Sequence, residues 1–597
     1  MQISDTIDTK LIKKFKKIYI LNDNFEHFFN DIKYLKFKNQ TLIVFQPDVS
    51  LTAKEIKKLK KNKINYWIFD WNFFHKKYYL RWIPHYKAYK NIKKKKFNFI
   101  QIFFEFFYYK KSLNNFFKKS YLYEQKNKFQ NQTIFNLIKK INRKTFIYKN
   151  KNDFITIKNI RKNIIIILKI LIYNFIYIAK SKKFFFVKPL NKKVAIRYYT
   201  SGLGVNDDDK KIDWIVDNKK IFNKDILIVS EENVKSNKDI RIFKKNYTYV
   251  NLNPLSINNL CINFKYTFVL IFLSFLNITL IPLFVIMSYK SKKIYYLLFS
   301  NFIKWSIFNL NYKIENFITY HDYRDVHILR NLIIKKQNCK TIHYKHTNSE
   351  NVFDKKNYLK YNNILFGFNF YDIENHWTKA SILMSEKDKT SSSRLLISGP
   401  IFYSKKIKNK SLKKNIISFF STSFNKNGTV NTNLSHYKFL YFIKKVLKEF
   451  KNCKIYLKPK YNISVEYKKD LKLNKIYNEL KQFKNFNIFK EKNSLNLISK
   501  SEVVVSMPFV STSIEALALK KKTIYVDLLN NFPNNYFSNI SNFCFKNEIK
   551  AIKEIKFLIN ISNNQYKLKI NKIKKKIFGN ININSDNQIR NQILNEK

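Results

Sequence analysis

Short apolar runs alternate with helical patterns along the last third of the chain. The runs NIISFFSTSF, KIYLKPK, EVVVSMP and TIYVD are rich in β-branched and aromatic residues, which is typical of buried strands. Between them, residues 436–450 and a stretch near residue 494 repeat apolar positions at helical spacing. Strands that alternate with helices in this way predict a parallel sheet covered by helices.

The same alternation occurs in two earlier parts of the chain. The first 90 residues contain KKIYIL, TLIVFQPDVS and INYWIFDW in a β-α-β rhythm, and the following hundred predict helix. A second block contains KKVAIRYYTSGLG, NKDILIVSEE, ENFITYHDYRD, KTIHYKHTNSE and YNNILFGF, and it ends at the turn SGP. We therefore predict an N-terminal α/β and helical extension over residues 1–190, one α/β half over 191–400 and a second over 401–597.

The stretch SMPFVSTSIEALALKKKTIYVD, residues 506–527, concentrates hydroxyl groups between a strand and a helix. Ser511 or Thr512 is placed to cap the helix, and Glu515 completes a capping box with Thr512. A helix N-terminus at the carboxyl edge of a parallel sheet attracts anions through its N–H groups and its dipole. The stretch therefore predicts either an anion site or an ordinary capped helix.

Residues 266–289, YTFVLIFLSFLNITLIPLFVIMSY, carry no charge and are long enough to cross a bilayer. Asn277 and Pro282 interrupt the segment, so an interfacial or re-entrant helix pair fits as well, and a buried core helix is a third interpretation. A second apolar stretch, NIIIILKILIYNFIYIAK, contains Lys169 and predicts an amphipathic or core helix.

The net charge of +73 comes from lysine spread over every segment, and Lys outnumbers Arg about tenfold. Arginine is the residue of bidentate base readout, so this composition argues against a nucleic-acid partner. A lysine-rich surface beside anionic lipid fits better. The four cysteines are widely spaced and predict free thiols in a reducing cytosol, and the first residues lack the pattern of a signal peptide. We therefore expect a cytoplasmic protein with a membrane surface as partner.

Two blocks resemble one enzyme family. FFSTSFN, YLKPK and SMPFVSTSIEALALKKKTIYVD resemble the nucleotide-sugar-binding half of GT-B glycosyltransferases. TYHDYRDVHILRNLIIKKQNCKTIHYKHTNSE, YNNILFGFNFYDIENHW and LLISGPIFYS are similar to the acceptor-side half and crossover of bacterial surface-polysaccharide (capsular or lipopolysaccharide) biosynthesis transferases, and AIRYYTSGLGVNDDDKKIDWIVDNKKI to the opening of that half. The resemblance covers roughly residues 190–560 and implies an α/β fold of two Rossmann-like halves.

The resemblance implies that the second half binds the phosphates of a nucleotide sugar. Positive groups and helix N-termini must meet the charge that develops on the leaving phosphate, and this chemistry requires no metal or cofactor. Lys458 and Lys460 end a predicted strand and point to one side by alternation. The other candidate donor-binding residues are Ser421, Thr422, Ser506, Ser511, Thr512 and Glu515, the last of them for a ribose hydroxyl.

The acceptor hydroxyl must lose a proton, which calls for a carboxylate or imidazole on the opposite wall of the cleft. His346 ends the predicted strand TIHYKH, and Asp322 and Asp325 end the predicted strand before it, ITYHDYRD. We rank His346 and Asp322 ahead of Asp325, and a cap or turn role is the alternative for either aspartate.

Four histidines at positions 321, 327, 343 and 346 invite a metal interpretation. His343 and His346 are an odd number of residues apart on an apparent strand, so they face opposite sides and cannot share an ion without a bend. We therefore predict no metal site. SGLGVN at residue 201 lacks the third glycine and the lysine of phosphate-binding loops, and with six glycines in the chain an ATP-cradling loop is not expected.

Together these features predict a metal-independent glycosyltransferase, peripheral or monotopic on the cytoplasmic face of a membrane, with a nucleotide sugar as donor. The acceptor would be a surface polysaccharide or another glycan, attached to a lipid. One alternative is transfer of a polyol phosphate from a CDP-glycerol-type donor, and another is a non-catalytic membrane-peripheral scaffold with the same fold.

Overall fold

The structure is a computed structural model of the 597-residue chain. It describes residues 2–4, 17–21, 41–45, 65–69, 145–147, 157–184, 186–198, 215, 221–231, 247–253, 260–279, 289–320, 326–345, 371–388, 393–400, 415–422, 433–460, 467, 470–491, 494–508, 510–530, 536–579 and 585–594. The chain divides into two compact units. One consists of Met1–Lys162, Leu359–Ile364 and Phe424–Asn433, and the other contains the rest.

The first unit contains a parallel sheet. Its strands are β1 (Gln2–Ser4), β2 (Lys17–Leu21), β3 (Thr41–Phe45), β4 (Asn65–Phe69) and β5 (Thr145–Ile147), in the spatial order β1-β4-β3-β2-β5. All of the described pairs are parallel. The predicted strands KKIYIL, TLIVF and INYWIF correspond to β2, β3 and β4, so the N-terminal α/β pattern contributes a sheet of its own.

The middle of the chain builds a seven-stranded sheet and the helices on it. The elements are α1 (Ile157–Lys180), β6 (Lys182–Phe184), β7 (Leu190–Tyr198), β8 (Ile226–Ser230), β9 (Thr248–Asn251), β10 (Cys261–Asn263), α2 (Phe264–Thr279), α3 (Tyr289–Asn311), β11 (Tyr312–Tyr320), α4 (Val326–Ile334), β12 (Lys340–Tyr344), β13 (Ile373–His376), α5 (Lys379–Asp388) and β14 (Arg394–Ile397).

The seven-stranded sheet is wholly parallel and runs in the order β14-β13-β12-β11-β7-β8-β9. The chain builds β7, β8 and β9 outward to one side, then returns to place β11 beside β7 and continues to the other side. This reversal creates a crevice between the carboxyl ends of β7 and β11. Every residue of β8, ILIVS, is buried, as expected for a strand covered on both faces.

The last part of the chain builds a six-stranded parallel sheet. Its elements are β15 (Ile416–Phe420), α6 (Asn433–Glu449), β16 (Lys454–Lys458), α7 (Leu471–Lys481), β17 (Phe486–Ile488), α8 (Ser494–Lys500), β18 (Val503–Ser506), α9 (Ser511–Ala518), β19 (Lys522–Val526), β20 (Cys544–Phe545), α10 (Glu548–Asn560), α11 (Asn563–Phe578) and α12 (Ser585–Leu594). The spatial order is β17-β16-β15-β18-β19-β20. The strand order reverses as it does in the seven-stranded sheet, here between β15 and β18.

The last helix returns to the seven-stranded sheet. Ile589 and Ile593 of α12 are buried in the cluster that contains Val194, Ile228 and Ile318. The side-chain amides of Gln592 and Asn375 exchange two hydrogen bonds of 2.8 and 2.9 Å. The end of the chain is therefore held by the half that begins some 400 residues earlier along the sequence.

The two parallel sheets with reversed strand order confirm the predicted class of two Rossmann-like α/β halves. The domain boundaries at residues 190 and 400 stay a prediction. The apolar stretch of residues 266–289 forms α2 up to Thr279, residues 280–288 lie outside the described residues, and Tyr289 begins α3. Within the described part of the chain, the helices are either too short or too polar to cross a bilayer.

Candidate functional site

Hydroxyl side chains collect at the crevice between β15 and β18. Ser421 and Thr422 directly follow β15, and Ser506 is the last residue of β18. The Cα partner of Ser506 across the sheet is Phe420, so the two strands end side by side. In an open parallel sheet the crevice outside the carboxyl ends at such a reversal is the place where ligands bind.

The loop from β18 into α9 is held by hydrogen bonds at both ends. Met507 N–H donates to Phe420 O at 3.0 Å, and the Tyr525 hydroxyl donates to Val510 O at 2.7 Å. Ser506 Oγ and Thr512 Oγ1 are 3.0 Å apart, and both side chains are buried. These contacts fix the N-terminus of α9 beside the end of β15.

The predicted capping box is wrong. Helix α9 begins at Ser511, its N-cap is Val510, and the Val510 side chain makes no cap hydrogen bond. Thr512 lies inside the first turn and bonds to Ser506 instead. The boundary differs because residues 507–510 close a turn, with Val510 N–H bonded to Met507 O at 3.4 Å, before the helix starts. Glu515 lies within the second turn and is half-buried.

Lys458 and Lys460 lie one strand away from the crevice, at the end of β16. Ser421 N–H donates to Lys458 O at 3.3 Å, so the backbones of the two strand ends touch. The Lys458 amine donates to Glu491 O and lies 5.5 Å from the centre of the Phe489 ring, beyond β17. Lys460 is exposed. The Lys458 side chain is therefore directed toward the outer edge of the sheet. The hydroxyl residues at the crevice itself are Ser421, Thr422, Ser506, Ser511 and Thr512.

The three candidate bases, His346, Asp322 and Asp325, lie outside the described residues. The strands that precede them are described. Tyr320 and Tyr344, the last residues of β11 and β12, are Cα partners, so these strands end at the same level. The two strand ends that precede the candidate bases in the sequence are therefore adjacent.

A buried ionic cluster lies at the carboxyl edge of the seven-stranded sheet. Arg197 is the penultimate residue of β7, Glu231 follows β8, and Lys304 comes from α3. Both cations form salt bridges with the Glu231 carboxylate, and the three side chains are only 10% to 14% exposed. The sequence pattern did not mark these residues. Arginine is scarce in this chain, where Lys outnumbers it about tenfold, so the presence of Arg197 could have pointed to a specific role.

The ionic cluster keeps Glu231 charged. Burial by itself raises the pKa of this carboxyl, but attraction to Arg197 and Lys304 and the hydrogen bond from Lys304 outweigh burial, so the pKa lies below its ordinary value. Burial lowers the pKa of the Lys304 amine, and attraction to Glu231 opposes this shift. Arg197 is the permanent positive charge of the cluster beside the crevice between β7 and β11.

Two described histidines of the seven-stranded half pack against an aromatic ring. His327 and His343 both stack on Tyr371, with ring centres 5.1 and 4.8 Å apart. The Tyr371 hydroxyl accepts a hydrogen bond of 3.1 Å from Arg330. Within the described ranges, no group of His, Cys, Asp and Glu side chains has an arrangement that could hold a metal ion. His321 and His346 lie outside those ranges.

Several solved structures align with about two thirds of this chain at low identity. UDP-GlcNAc 2-epimerase from Methanocaldococcus jannaschii, in complex with UDP-GlcNAc and UDP, aligns at 13% identity over 68% of this chain and 99% of its own, with a TM-score of 0.36. Anabaena Alr3699/HepE, in complex with UDP and glucose, aligns at 11% identity over 67% and 99%, with a TM-score of 0.36. No curated protein matches the chain.

A family model matches residues 279–554 and is described as "Polysaccharide biosynthesis PFTS motif protein". Within the match, residues 508–511 read Pro-Phe-Val-Ser, which shares three of the four letters in that description. This tetrapeptide leads into α9 at the crevice of the six-stranded sheet. Over residues 279–554, which are a little less than half of the chain, the protein is therefore similar to the family of polysaccharide biosynthesis PFTS motif proteins.

Proposed function

We propose that this protein is a glycosyltransferase that moves a sugar from a nucleotide-sugar donor to a surface polysaccharide or another glycan, attached to a lipid. The observation that carries the proposal is the position of the hydroxyl-rich turn between β18 and α9. Residues 507–510 connect β18 to α9 at the strand-order reversal of the six-stranded sheet, where α/β proteins bind nucleotides.

The N-terminus of α9 is the proposed phosphate site. The first N–H groups of a helix point along its axis, and the helix dipole favours negative charge there. Ser511 and Thr512 begin α9, and Ser421 and Thr422 stand across the crevice at the end of β15. We assign these four residues to the donor phosphates. Ser506 positions Thr512 through their 3.0 Å hydrogen bond.

Two further roles follow from chemistry rather than from contacts in the crevice. Glu515, one turn into α9, is assigned to a ribose hydroxyl, because a carboxylate accepts hydrogen bonds from a diol. Lys458 and Lys460 are assigned to the charge on the leaving phosphate. For Lys458 this role requires the amine to exchange its bond to Glu491 O for one to the ligand.

The acceptor side supplies the base in this proposal. The acceptor oxygen forms a bond to the anomeric carbon of the sugar, the bond from that carbon to the phosphate oxygen breaks, and the nucleotide leaves with the electron pair. The proton of the acceptor hydroxyl passes to the base. His346 and Asp322 are the first choices and Asp325 the next, because they follow β12 and β11, which end at the same level.

The proposal is tested by nucleotide release. The purified protein is incubated with a panel of nucleotide sugars and a membrane glycolipid fraction, and free nucleotide is measured. We expect one donor to yield nucleoside diphosphate or monophosphate at a rate that Ser511→Ala lowers about tenfold, the size of one lost hydrogen bond to a charged group. The matched control is Ser494→Ala, because Ser494 is also the first residue of a helix in the same half and is also half-buried.

The other outcomes separate the competing functions. Release of CMP from CDP-glycerol, without release from any nucleotide sugar, would replace the glycosyltransferase by a polyol-phosphate transferase. Folded protein that releases no nucleotide from any donor would support a scaffold. Equal losses in Ser511→Ala and Ser494→Ala would mean that the crevice is not the donor site.

A further inference from the structure

Two neighbouring helices expose an unusual amount of apolar side chain. Helix α1 presents aliphatic residues and a phenylalanine, and α2 presents mostly phenylalanines. These residues, here named the apolar face, are Ile165, Leu168, Ile172 and Phe175 of α1 and Phe264, Phe268, Ile271, Phe272 and Phe275 of α2. Phe175 and Phe268 are each 71% exposed and Phe275 is 63% exposed, so water covers most of their surface. Large contiguous patches of this kind mark interaction sites.

Helices α1 and α2 are joined by a hydrogen bond and by the pairing of their neighbouring strands. Asn174 Nδ2 donates to Ser274 Oγ at 2.9 Å, directly beside Phe175 and Phe275 in sequence. The strands that adjoin the helices, β6 after α1 and β10 before α2, pair with each other in parallel. The other side of each helix is anchored in the protein, since Tyr177 is 2% exposed and Leu270 is 0% exposed. The apolar face therefore belongs to two helices that the protein core holds in place.

The exposed residues form a single stripe on each helix. At 100° per residue, the four apolar positions of α1 fall within about 80° of arc, and the five of α2 fall within about 100°. Lys169 and Lys180 lie about 40° and 60° beyond Ile165, along one border of the α1 stripe. Both lysines are exposed, as are Lys182 and Lys188 after the helix.

The sequence around the apolar face lacks negative charge. No Asp or Glu occurs between Asp153 and Asp207, or between Asp239 and Glu315. Helices with aromatic and aliphatic residues on one side and Lys at the border lie in the interface of bilayers that contain anionic lipid. Lysine near such a surface contributes attraction that adds to the burial of the apolar residues.

We propose that the apolar face of α1 and α2 docks this protein onto the surface of an anionic lipid bilayer. The phenylalanines enter the boundary between head groups and acyl chains, and the bordering lysines contact the phosphates of the lipids. A second copy of the chain fits less well, because it would place two lysine borders against each other. Nucleic acid fits less well, because the centre of the surface is apolar. The proposal does not depend on the transferase activity.

The test is sedimentation of the full chain with vesicles. Vesicles of phosphatidylcholine and phosphatidylglycerol at 3:1 are compared with vesicles of phosphatidylcholine alone. The test variant is Phe175→Ser/Phe268→Ser, and the matched control is Leu471→Ser/Leu568→Ser. Leu471 and Leu568 are 87% and 72% exposed on helices of the six-stranded half, so the control removes equally exposed apolar groups elsewhere.

We expect the wild type and the control to bind the anionic vesicles, and the test variant to partition at least tenfold more weakly. We also expect Lys169→Gln/Lys188→Gln to reduce binding to the anionic vesicles and to remove most of the difference between the two lipid mixtures. Circular dichroism and size-exclusion chromatography establish that each variant is folded. Equal partitioning of the test variant and the control would overturn the proposal. A wild-type dimer that the test variant converts to a monomer would also overturn it, because the apolar face would then bind a second copy.

Discussion

Replacing Glu231 with glutamine tests the ionic cluster of the seven-stranded sheet. The substitution keeps the size of the side chain and removes its charge, so Arg197 and Lys304 lose the carboxylate between them. Removing one partner of a buried ion pair costs about 3–5 kcal/mol, because the remaining charge stays away from water. Both cations are 14% exposed, and this partial access to water places the expected loss near 3 kcal/mol.

The assay is unfolding in guanidinium chloride, followed by tryptophan fluorescence. Trp305 is adjacent to Lys304 and fully buried, so its emission reports on this half. The control is Glu479→Gln, which removes the partner of Lys444 from a surface pair whose side chains are 31% and 27% exposed. We expect a clear fall in the midpoint for Glu231→Gln and almost none for the control. Glu231→Leu/Lys304→Met should recover part of the loss, because apolar side chains need no counter-charge.

The pH dependence of the loss has a definite sign. The folded-state pKa of Glu231 is lowered, so the stabilisation from its charge is fully present above the unfolded pKa of about 4.3. It disappears as the pH falls through the lower folded pKa. The difference between wild type and Glu231→Gln should therefore stay constant from pH 8 to pH 6 and shrink only in acid. A midpoint shift no larger than that of Glu479→Gln would refute the assignment of a buried ionic cluster.

Three further predictions concern packing and reactivity. Ser506→Ala should cost about 1–3 kcal/mol, because it leaves the buried Thr512 hydroxyl without its 3.0 Å partner, and adding Thr512→Val should return part of the loss in thermal unfolding. Ile589→Ala should cost about 2–5 kcal/mol since that residue is 0% exposed, whereas Ile549→Ala, at 65% exposure, should change stability by less than about 0.5 kcal/mol. Burial raises the pKa of the Cys544 thiol to about 12, so a disulfide reagent at pH 8 should modify it only after unfolding, and rapid modification of the folded protein would contradict this.

Buried parallel strands were predictable from the sequence because each is a short, continuous run of apolar residues. ILIVS of β8 and VVVS of β18 are continuous apolar runs, as strands covered on both faces must be. The helix predicted around residues 436–450 is α6, Asn433–Glu449. Strand β13 was missed because its residues include Glu374, Asn375 and His376. All three are buried, but local hydrophobicity cannot reveal polar side chains that find partners in the interior.

The packing of α12 on the seven-stranded sheet was not predictable from the hydrophobic pattern of that helix. SDNQIRNQIL of α12 has few apolar positions, and its two buried isoleucines give no information about the sheet on which they pack. The partner is set by long-range contacts such as the amide pair of Gln592 and Asn375. Tertiary contacts of this kind override local preference.

The candidate site was predicted more closely in position than in detail. The hydroxyl cluster of residues 506–512 was placed correctly at the carboxyl edge of a parallel sheet, because a strand, a turn and a helix follow each other directly in the sequence. The capping box failed because the helix begins two residues earlier than a Thr512 cap requires, since helix boundaries depend on turn geometry that propensities do not resolve. The direction of the Lys458 amine depends on β17, a neighbour in space that alternation along β16 cannot report.

The central claim is that the crevice between β15 and β18 holds the phosphates of a nucleotide sugar. Its most direct test is thermal unfolding of the purified chain with UDP, GDP, CDP, CMP and their sugars, for wild type, Ser511→Glu and the control Ser494→Glu. A ligand present at about 100 times its dissociation constant should add about 2.7 kcal/mol of stability. We predict stabilisation by ligands of one base, lost in Ser511→Glu because a carboxylate at the start of α9 repels phosphate, and kept in Ser494→Glu. Folded wild-type protein that no nucleotide stabilises, or stabilisation that survives Ser511→Glu, would contradict the claim.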